Sequence, residues 1–226
     1  MNWRDLQILF SDNHLLVVDK PAGLPVQADA SGDPDLLSLA KLWVGHHFAK
    51  PGAVYLGLVH RLDRPARGVV VLARTSKAAA RLSTQFRERT AHKVYAAIVL
   101  GRPHPAQAQC EDWLAPSEGS TRIAAQGVGQ QARLEYRTLG QYGALSQLEI
   151  ELETGRKHQI RVQWASRGWP IQGDLRYGAA VPLPDKGIAL WAKSLTLDHP
   201  TLATRLTFDA PTPPGWPWQL QDQHGR

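Results

Sequence analysis

The sequence predicts an α+β domain built on an antiparallel-rich mixed sheet with flanking helices, and three observations predict it. Short runs that are apolar throughout, or that alternate apolar with polar residues, recur along the chain between Pro, Gly, Asn, Asp and Ser clusters. Most of these runs follow one another closely enough to be linked as hairpins. Only three stretches carry apolar residues at the spacing of a helix face. At 226 residues the chain can bury one good core, so residues 1–226 are expected to form a single domain. Residues 210–226, with four prolines and two tryptophans, are expected to be an extended tail.

In chain order, Ile8-Leu9-Phe10, the turn Ser11-Asp12-Asn13 and the run His14 to Lys20 read as a hairpin, closed by the rigid loop Pro21-Ala22-Gly23-Leu24-Pro25. Lys20 is either a solvated strand end or a support for a site. Asp35 to Lys50 has the helical spacing Leu36, Leu37, Leu39, Ala40, Leu42, Trp43, Val44. His46-His47 at its end do not suggest a metal, because adjacent helix positions point apart and cations suit a helix C-terminus. Val69 to Ala73 is an unbroken, β-branched apolar run, as in a strand buried on both faces. Ser76 is the expected N-cap of a helix running to Arg89, with Ala79, Leu82 and Phe86 along one side.

His92 to Gly101 reads as the next strand. Arg102 to Gln131 is Pro-, Gly- and Ser-rich with little periodicity and is expected to be irregular. Within it, Gly127-Val128-Gly129-Gln130-Gln131-Ala132 matches a dinucleotide fingerprint. The residues that follow, Arg133 to Leu139, alternate like a strand and not a helix, so the match carries no function. Ser146 to Glu153 completes a second hairpin, with Leu148, Ile150 and Leu152 on one face. The residues after Gly155 read as a helix start, whose N–H groups with Arg156, Lys157 and Arg161 would make an anion site. Thr204 to Phe208 alternates as a final strand.

Lys and Arg number 26 against 20 acids, a net charge of +6 that is compatible with a nucleic-acid partner. The single cysteine, Cys110, excludes an internal disulfide and a Cys-rich zinc site. No apolar run approaches the ~18 residues of a membrane span, and Met1-Asn2-Trp3-Arg4-Asp5 lacks the apolar core of a signal peptide. A cytoplasmic protein is expected. No P-loop, HExxH or GxSxG pattern occurs, and neither metal nor cofactor is expected.

The chemistry concentrates before the buried strand. Asp63 stands among His60, Arg61, Arg64 and Arg67, in a loop closed by Pro65 and Gly68. A carboxylate at the mouth of a buried strand loses solvation, which raises its pKa, while neighbouring guanidinium groups lower it. The result is an ionised Asp with few solvent partners, able to act as nucleophile or base; an ordinary loop salt bridge is the other reading, and for an isolated Asp among arginines it is the preferred one.

His60-Arg61-Leu62-Asp63 followed by Gly68 and an apolar strand resembles the catalytic motif of the RluA family of RNA pseudouridine synthases. Asp19-Lys20-Pro21-Ala22-Gly23, Lys93-Val94-Tyr95 and Thr154-Gly155-Arg156-Lys157-His158-Gln159-Ile160-Arg161 resemble further family motifs in the same order. Pro170 to Gly178 and Ala189 to Pro200 also fit, so the resemblance runs from about Ile8 to about Pro211. It implies the family's catalytic fold, with a central RNA-binding cleft, and isomerisation of uridine to pseudouridine in rRNA or tRNA.

By the same resemblance Asp63, Tyr95 and Arg161 are catalytic. Asp63 initiates cleavage of the N-glycosidic bond, Tyr95 stacks on the uracil and assists loss of the C5 proton, and Arg161 pairs with Asp63. Arg61 fills the space left by the flipped base. RNA contacts are expected from His60, Arg61, Arg64, Arg67, Lys93, Arg156, Lys157 and His158, and a monomer is expected. The chain departs from the family at Ala66-Arg67, where a small residue and Ser are common, and at Gln163 and Trp191, where His is usual. Those departures are the support for the alternative, a non-catalytic RNA-binding protein or RNA folding helper on the same scaffold.

Overall fold

The computed structural model describes residues 1–214 and 216, so the expectation for the tail falls largely outside the described residues. Among them are eleven strands and three α-helices, the expected α+β composition. The chain forms two compact units, one of Met1–His92 with Ser194–Pro211, the other of Lys93–Lys193 with the residues from Thr212. None of the helices is long and apolar enough to cross a membrane.

The first unit contains β1 (Gln7–Ser11), β2 (Leu15–Lys20), α1 (Leu36–His47), β3 (Gly57–Leu58), β4 (Arg67–Ala73) and α2 (Ser76–Glu88). The predicted hairpin of β1 and β2 is present. Its turn is set by Asp12, whose Oδ1 accepts the N–H groups of His14 and Leu15, each at 2.7 Å. β2 pairs antiparallel with β4 from Leu15↔Ala73 to Lys20↔Gly68. Every β4 residue after Arg67 is buried, which is why the run is apolar without alternation.

Asp35 caps α1 by accepting the Ser38 N–H at 3.0 Å, and the helix buries Leu36, Leu39, Ala40 and Val44. Leu42, midway along the helix, and Phe48, just beyond its end, stay exposed. The cap of α2 is Thr75, not Ser76. Thr75 is the residue with extended backbone, and its Oγ1 accepts the Ala78 N–H at 3.1 Å. The helix buries Ala78 and Leu82, one turn apart.

The second unit contains β5 (His92–Leu100, from Lys93), β6 (Gln107–Ser117), β7 (Ser120–Ala124), β8 (Gln130–Tyr142), β9 (Leu145–Leu152) and α3 (Gln159–Ser166). Its sheet order is β5-β9-β8-β6-β7, antiparallel throughout. Two expectations need correction here. The stretch 102–131 is not irregular, because it supplies β6 and β7. On β6 the fully buried apolar positions are few, Cys110, Leu114 and Ala115, so alternation is too sparse to read from sequence, yet an eight-pair register with β8 holds the strand. The second glycine of the apparent fingerprint has a packing reason. A Cβ on Gly129 would lie 2.2 Å from the Leu114 carbonyl oxygen.

The other correction concerns α3. Residues 156–158 form a turn, His158 takes the left-handed conformation (φ 53°), and the helix begins only at Gln159. Gln159 through Trp164 are all buried, so α3 is a core helix. Val162 packs with Leu114 and Ala132, flanked by Ile123 and Tyr177. The last strands are β10 (Leu190–Asp198), which leaves the second unit after Lys193, and β11 (Arg205–Asp209), which pairs with Ser194–Asp198 in the first.

Candidate active site

Asp63 lies in the connection from β3 to β4. Leu62 and Ala66 are buried anchors on either side, and the Ala66 N–H closes a turn on the Asp63 carbonyl at 3.0 Å. Asp63 itself is half-buried. The loop rests on Lys20, which is 0% exposed at the end of β2. Its Nζ donates to the carbonyls of Pro21 (2.9 Å), Leu24 (2.8 Å) and Arg64 (3.1 Å). Three acceptors match the three N–H bonds of an ammonium. Burial pushes the Lys20 pKa down to about 7, and the charge of Asp63 acts against that fall. Gly23 donates its N–H to the Arg64 carbonyl at 2.8 Å and accepts from Arg64 Nε at 3.0 Å. The Lys20–Gly23 segment is thus a cradle for the Asp63 loop, which decides between the two readings of Lys20.

The cations around Asp63 have distinct employments. His60 Nε2 accepts the Val71 N–H at 2.9 Å, and its ring stacks on Phe86 at 4.7 Å, which ties the loop to β4 and α2. Arg64 pairs with Asp33 and, at 3.5 Å, with Asp29, and it donates to Ser31 Oγ at 3.1 Å. Arg61 is exposed. Arg67 opens β4 and is half-buried. Because Asp19 pairs with Val69, Asp19 and Arg67 are diagonal neighbours on one face of the sheet. Burial raises the Asp19 pKa to about 6, against the opposing charges of Arg67 and Lys20.

The second unit carries the remaining expected residues. Tyr95 sits on β5 opposite Ile150 and is buried. Lys93, two residues earlier on the same face, brings Nζ close to Gly155, where an added Cβ would stand 3.7 Å away. In the Thr-Gly-Arg motif, Thr154 and Gln159 serve structure. Thr154 Oγ1 accepts the Arg133 N–H at 2.8 Å and donates to Gln159 Oε1 at 2.8 Å. Gln159 Nε2 donates to the Arg133 carbonyl at 3.0 Å, and its Oε1 also accepts the Arg156 N–H at 3.1 Å. Arg156 Nε is held on the Gln131 carbonyl at 3.1 Å, and Lys157 is exposed. These cations are employed separately and are not gathered round one anion at the helix start.

Arg161 makes a buried fork with a residue that the sequence reading did not single out. Its Nε donates to Asp174 Oδ2 at 2.7 Å and its Nη2 to Oδ1 at 2.9 Å, with exposures of 5% and 1%. The Tyr177 ring lies 5.0 Å from the guanidinium carbon. The Tyr177 hydroxyl accepts the Thr121 N–H at 3.0 Å and stands 2.9 Å from His158 Nδ1. A guanidinium has five N–H bonds, so a fork to one carboxylate does not exhaust it. The signal for Asp174 was present in the Gly173-Asp174-Leu175-Arg176-Tyr177-Gly178 stretch, but nothing in it announced burial.

Two departures from the family acquire local explanations. Gln163 is buried and donates from Nε2 to Asp112 Oδ2 at 2.7 Å, and Arg167 pairs with the same oxygen at 2.9 Å, so the Gln ties α3 to β6. Ala66 is wholly buried, a place suited to a methyl group. Trp191 is also buried, on β10.

The chain belongs to the RNA pseudouridylate synthase family, whose model matches residues 14–166, a span containing Asp63, Tyr95 and Arg161. Its chemistry is therefore isomerisation of uridine to pseudouridine in RNA, as the RluA resemblance implied. More particularly, it is similar to the ribosomal large subunit pseudouridine synthase D of Pseudomonas aeruginosa, with 33% identity over 96% of this chain and 71% of that protein. The enzyme of the same name from Nitrosomonas europaea is 36% identical over 92% of this chain and 62% of its own length. Among solved structures, human RNA pseudouridylate synthase domain containing 4 aligns with a TM-score of 0.77 at 25% identity, over 95% of this chain and 92% of that one.

Proposed function

We propose that this chain converts uridine to pseudouridine in large-subunit ribosomal RNA, acting as a single catalytic domain, as a monomer in the cytoplasm, with no metal or cofactor. The ribosomal target is supported by the names of the Pseudomonas and Nitrosomonas relatives. The residue roles rest on the complete motif series, and the observation that carries the reading is the cradle. A wholly buried Lys20 joins the Asp63 loop, through the Arg64 carbonyl, to its own following loop, through the carbonyls of Pro21 and Leu24. Such rigid support suits a group that must be placed accurately at a reacting bond.

In this reading the target base first leaves its stack, at a cost of a few kcal/mol that is least in loops and single strands. Asp63 then breaks the bond between the sugar C1′ and uracil N1, either by attack at C1′ or by taking a sugar proton. The uracil turns and C5 bonds to C1′ as Asp63 leaves C1′ or returns the sugar proton; the C5 proton then leaves with help from Tyr95, whose ring stacks on the base, and N1 takes up a proton. Arg161 keeps Asp63 ionised. Arg61 fills the vacated space, while Arg67, Lys93, Arg156, Lys157, His158, His60 and Arg64 contact or order the RNA around it.

The test is a map of pseudouridines across total RNA with and without the gene. Loss of one or a few sites from large-subunit ribosomal RNA is expected. Identical maps, with RNA binding retained by the purified protein, would instead favour the non-catalytic RNA binder.

A further inference from the structure

The C-terminal end of α1 and the short 3-10 turn Trp3–Asp5 pack together in the first unit, and together they display rings interleaved with cations. Trp43 and His47, one turn apart, stack nearly parallel with centroids 4.4 Å apart. Phe48 meets the edge of His47 at 4.7 Å. Trp3 lies 4.6 Å from His46, and the Arg4 guanidinium covers Trp3 at 4.6 Å. His46, His47 and Phe48 are exposed, and so are Lys41 in the middle of the helix and Lys50 just beyond it. Behind them Arg74, itself buried, backs the Phe48 ring at 3.9 Å. The neighbouring acid, Asp5, is turned onto its own turn, where it accepts the Asn2 N–H at 2.7 Å.

These features serve neither the core nor the Asp63 loop. A core helix end would bury its rings, and a purely apolar partner would not call for a cation or imidazole against each of them. Exposed rings next to exposed positive charge match single-stranded nucleic acid, whose bases stack on aromatics while its phosphates take the cations. The helix also places the patch relative to the site. Its first turn is fixed to the loop that Arg64 engages, through the Leu36 and Leu37 N–H groups on the Pro25 and Val26 carbonyls. Its far end lies about 18 Å away by helical rise, a span that a few nucleotides of extended RNA can cover.

We propose that this ring-and-cation patch is an accessory docking surface for a single-stranded RNA segment adjoining the target uridine. The proposal rests on the RNA-modifying reading above and adds a second foothold to it. Trp3 and Trp43 hold the stacked imidazoles in place. His46, His47 and Phe48 offer faces to bases, and Arg4 takes a phosphate.

The test uses the full chain and two probes, a 12-nucleotide oligouridine and C5-tritiated large-subunit ribosomal RNA. His46→Ala/His47→Ala removes only exposed rings. It should bind the oligouridine about tenfold more weakly, ~1.4 kcal/mol, while its single-turnover tritium release at saturating protein matches the wild type. Arg4→Ala should reduce the salt slope of oligouridine binding by about one. Trp43→Phe, which keeps a ring, should bind within twofold of the wild type. Equal oligouridine affinity for the wild type and the double variant overturns the proposal. So does a wild-type dimer that the double variant dissociates in sedimentation, which would make the patch a contact with a second copy. If the wild type releases no tritium, the catalytic reading fails, and the oligouridine comparison still decides the patch.

Discussion

Substituting Asp174 with Asn removes the charge opposite Arg161 and little else. The pair is buried to 1% and 5% exposure and is made by two parallel bonds of 2.7 and 2.9 Å. The Asn can accept one of those bonds, but its amide NH2 then faces a guanidinium N–H, donor against donor. Breaking a buried pair by removing one partner costs on the order of 3–5 kcal/mol, because the remaining buried charge loses its bidentate counter-charge. For a chain of this size that is a fall in melting temperature on the order of 10 °C. Urea unfolding measures it, with Asp198→Asn as the internal comparison. Asp198 pairs with Arg205 at 3.0 Å, but both side chains are about half exposed, at 53% and 48%. That loss should stay below about 1 kcal/mol. Replacing both partners, as Arg161→Met with Asp174→Leu, should recover most of the stability and none of the activity. An Asp174→Asn protein as stable as Asp198→Asn would refute the claim that the fork anchors α3.

Tyr95→Phe should bind substrate RNA normally and stall before product release in a single-turnover assay; wild-type rates would leave Tyr95 only a stacking role. The pKa of Asp19 is raised to about 6 by burial, so the folded state holds a proton that the unfolded chain releases near pH 4. Ionised Asp19 therefore weakens the fold above pH 6, and this penalty fades as pH falls towards 4. The stability of Asp19→Asn relative to wild type should accordingly improve between pH 4 and pH 6.5 in urea titrations; a constant difference would contradict the raised pKa. Arg67→Ser should weaken RNA binding and lower its salt slope by about one, and an unchanged slope would remove Arg67 from the phosphates.

Much of the fold was legible because its strongest signals are local. The apolar run of β4, the Asx turn at Asp12 and the helical spacing of α1 each depend on residues close in sequence. β6 and β7 were not legible, because a strand with few buried positions is held by its neighbours' ladders and not by its own pattern. The start of α3 was misplaced for a related reason. Thr154 and Gln159 close a turn onto the backbone of Arg133, 21 and 26 residues away, a contact no local rule contains. Of the candidate site residues, Asp63, Tyr95 and Arg161 were visible as motif residues. What held them was less visible, namely Lys20 buried against three carbonyls and Asp174 buried against Arg161. Burial of a charge is decided by the whole fold, and the sequence shows only that the charge is there.

Whether Asp63 drives isomerisation is read from the hydrogen that the base loses. Joining C5 of uracil to the sugar expels the C5 hydrogen, so C5-tritiated large-subunit ribosomal RNA reports each turnover as tritium released to water. The wild type should release tritium in whole-number ratio to the RNA. Asp63→Asn, which keeps the shape and loses the charge, should release none while binding the RNA within about tenfold, ~1.4 kcal/mol. Release by Asp63→Asn at a rate comparable to the wild type would remove Asp63 from the chemistry.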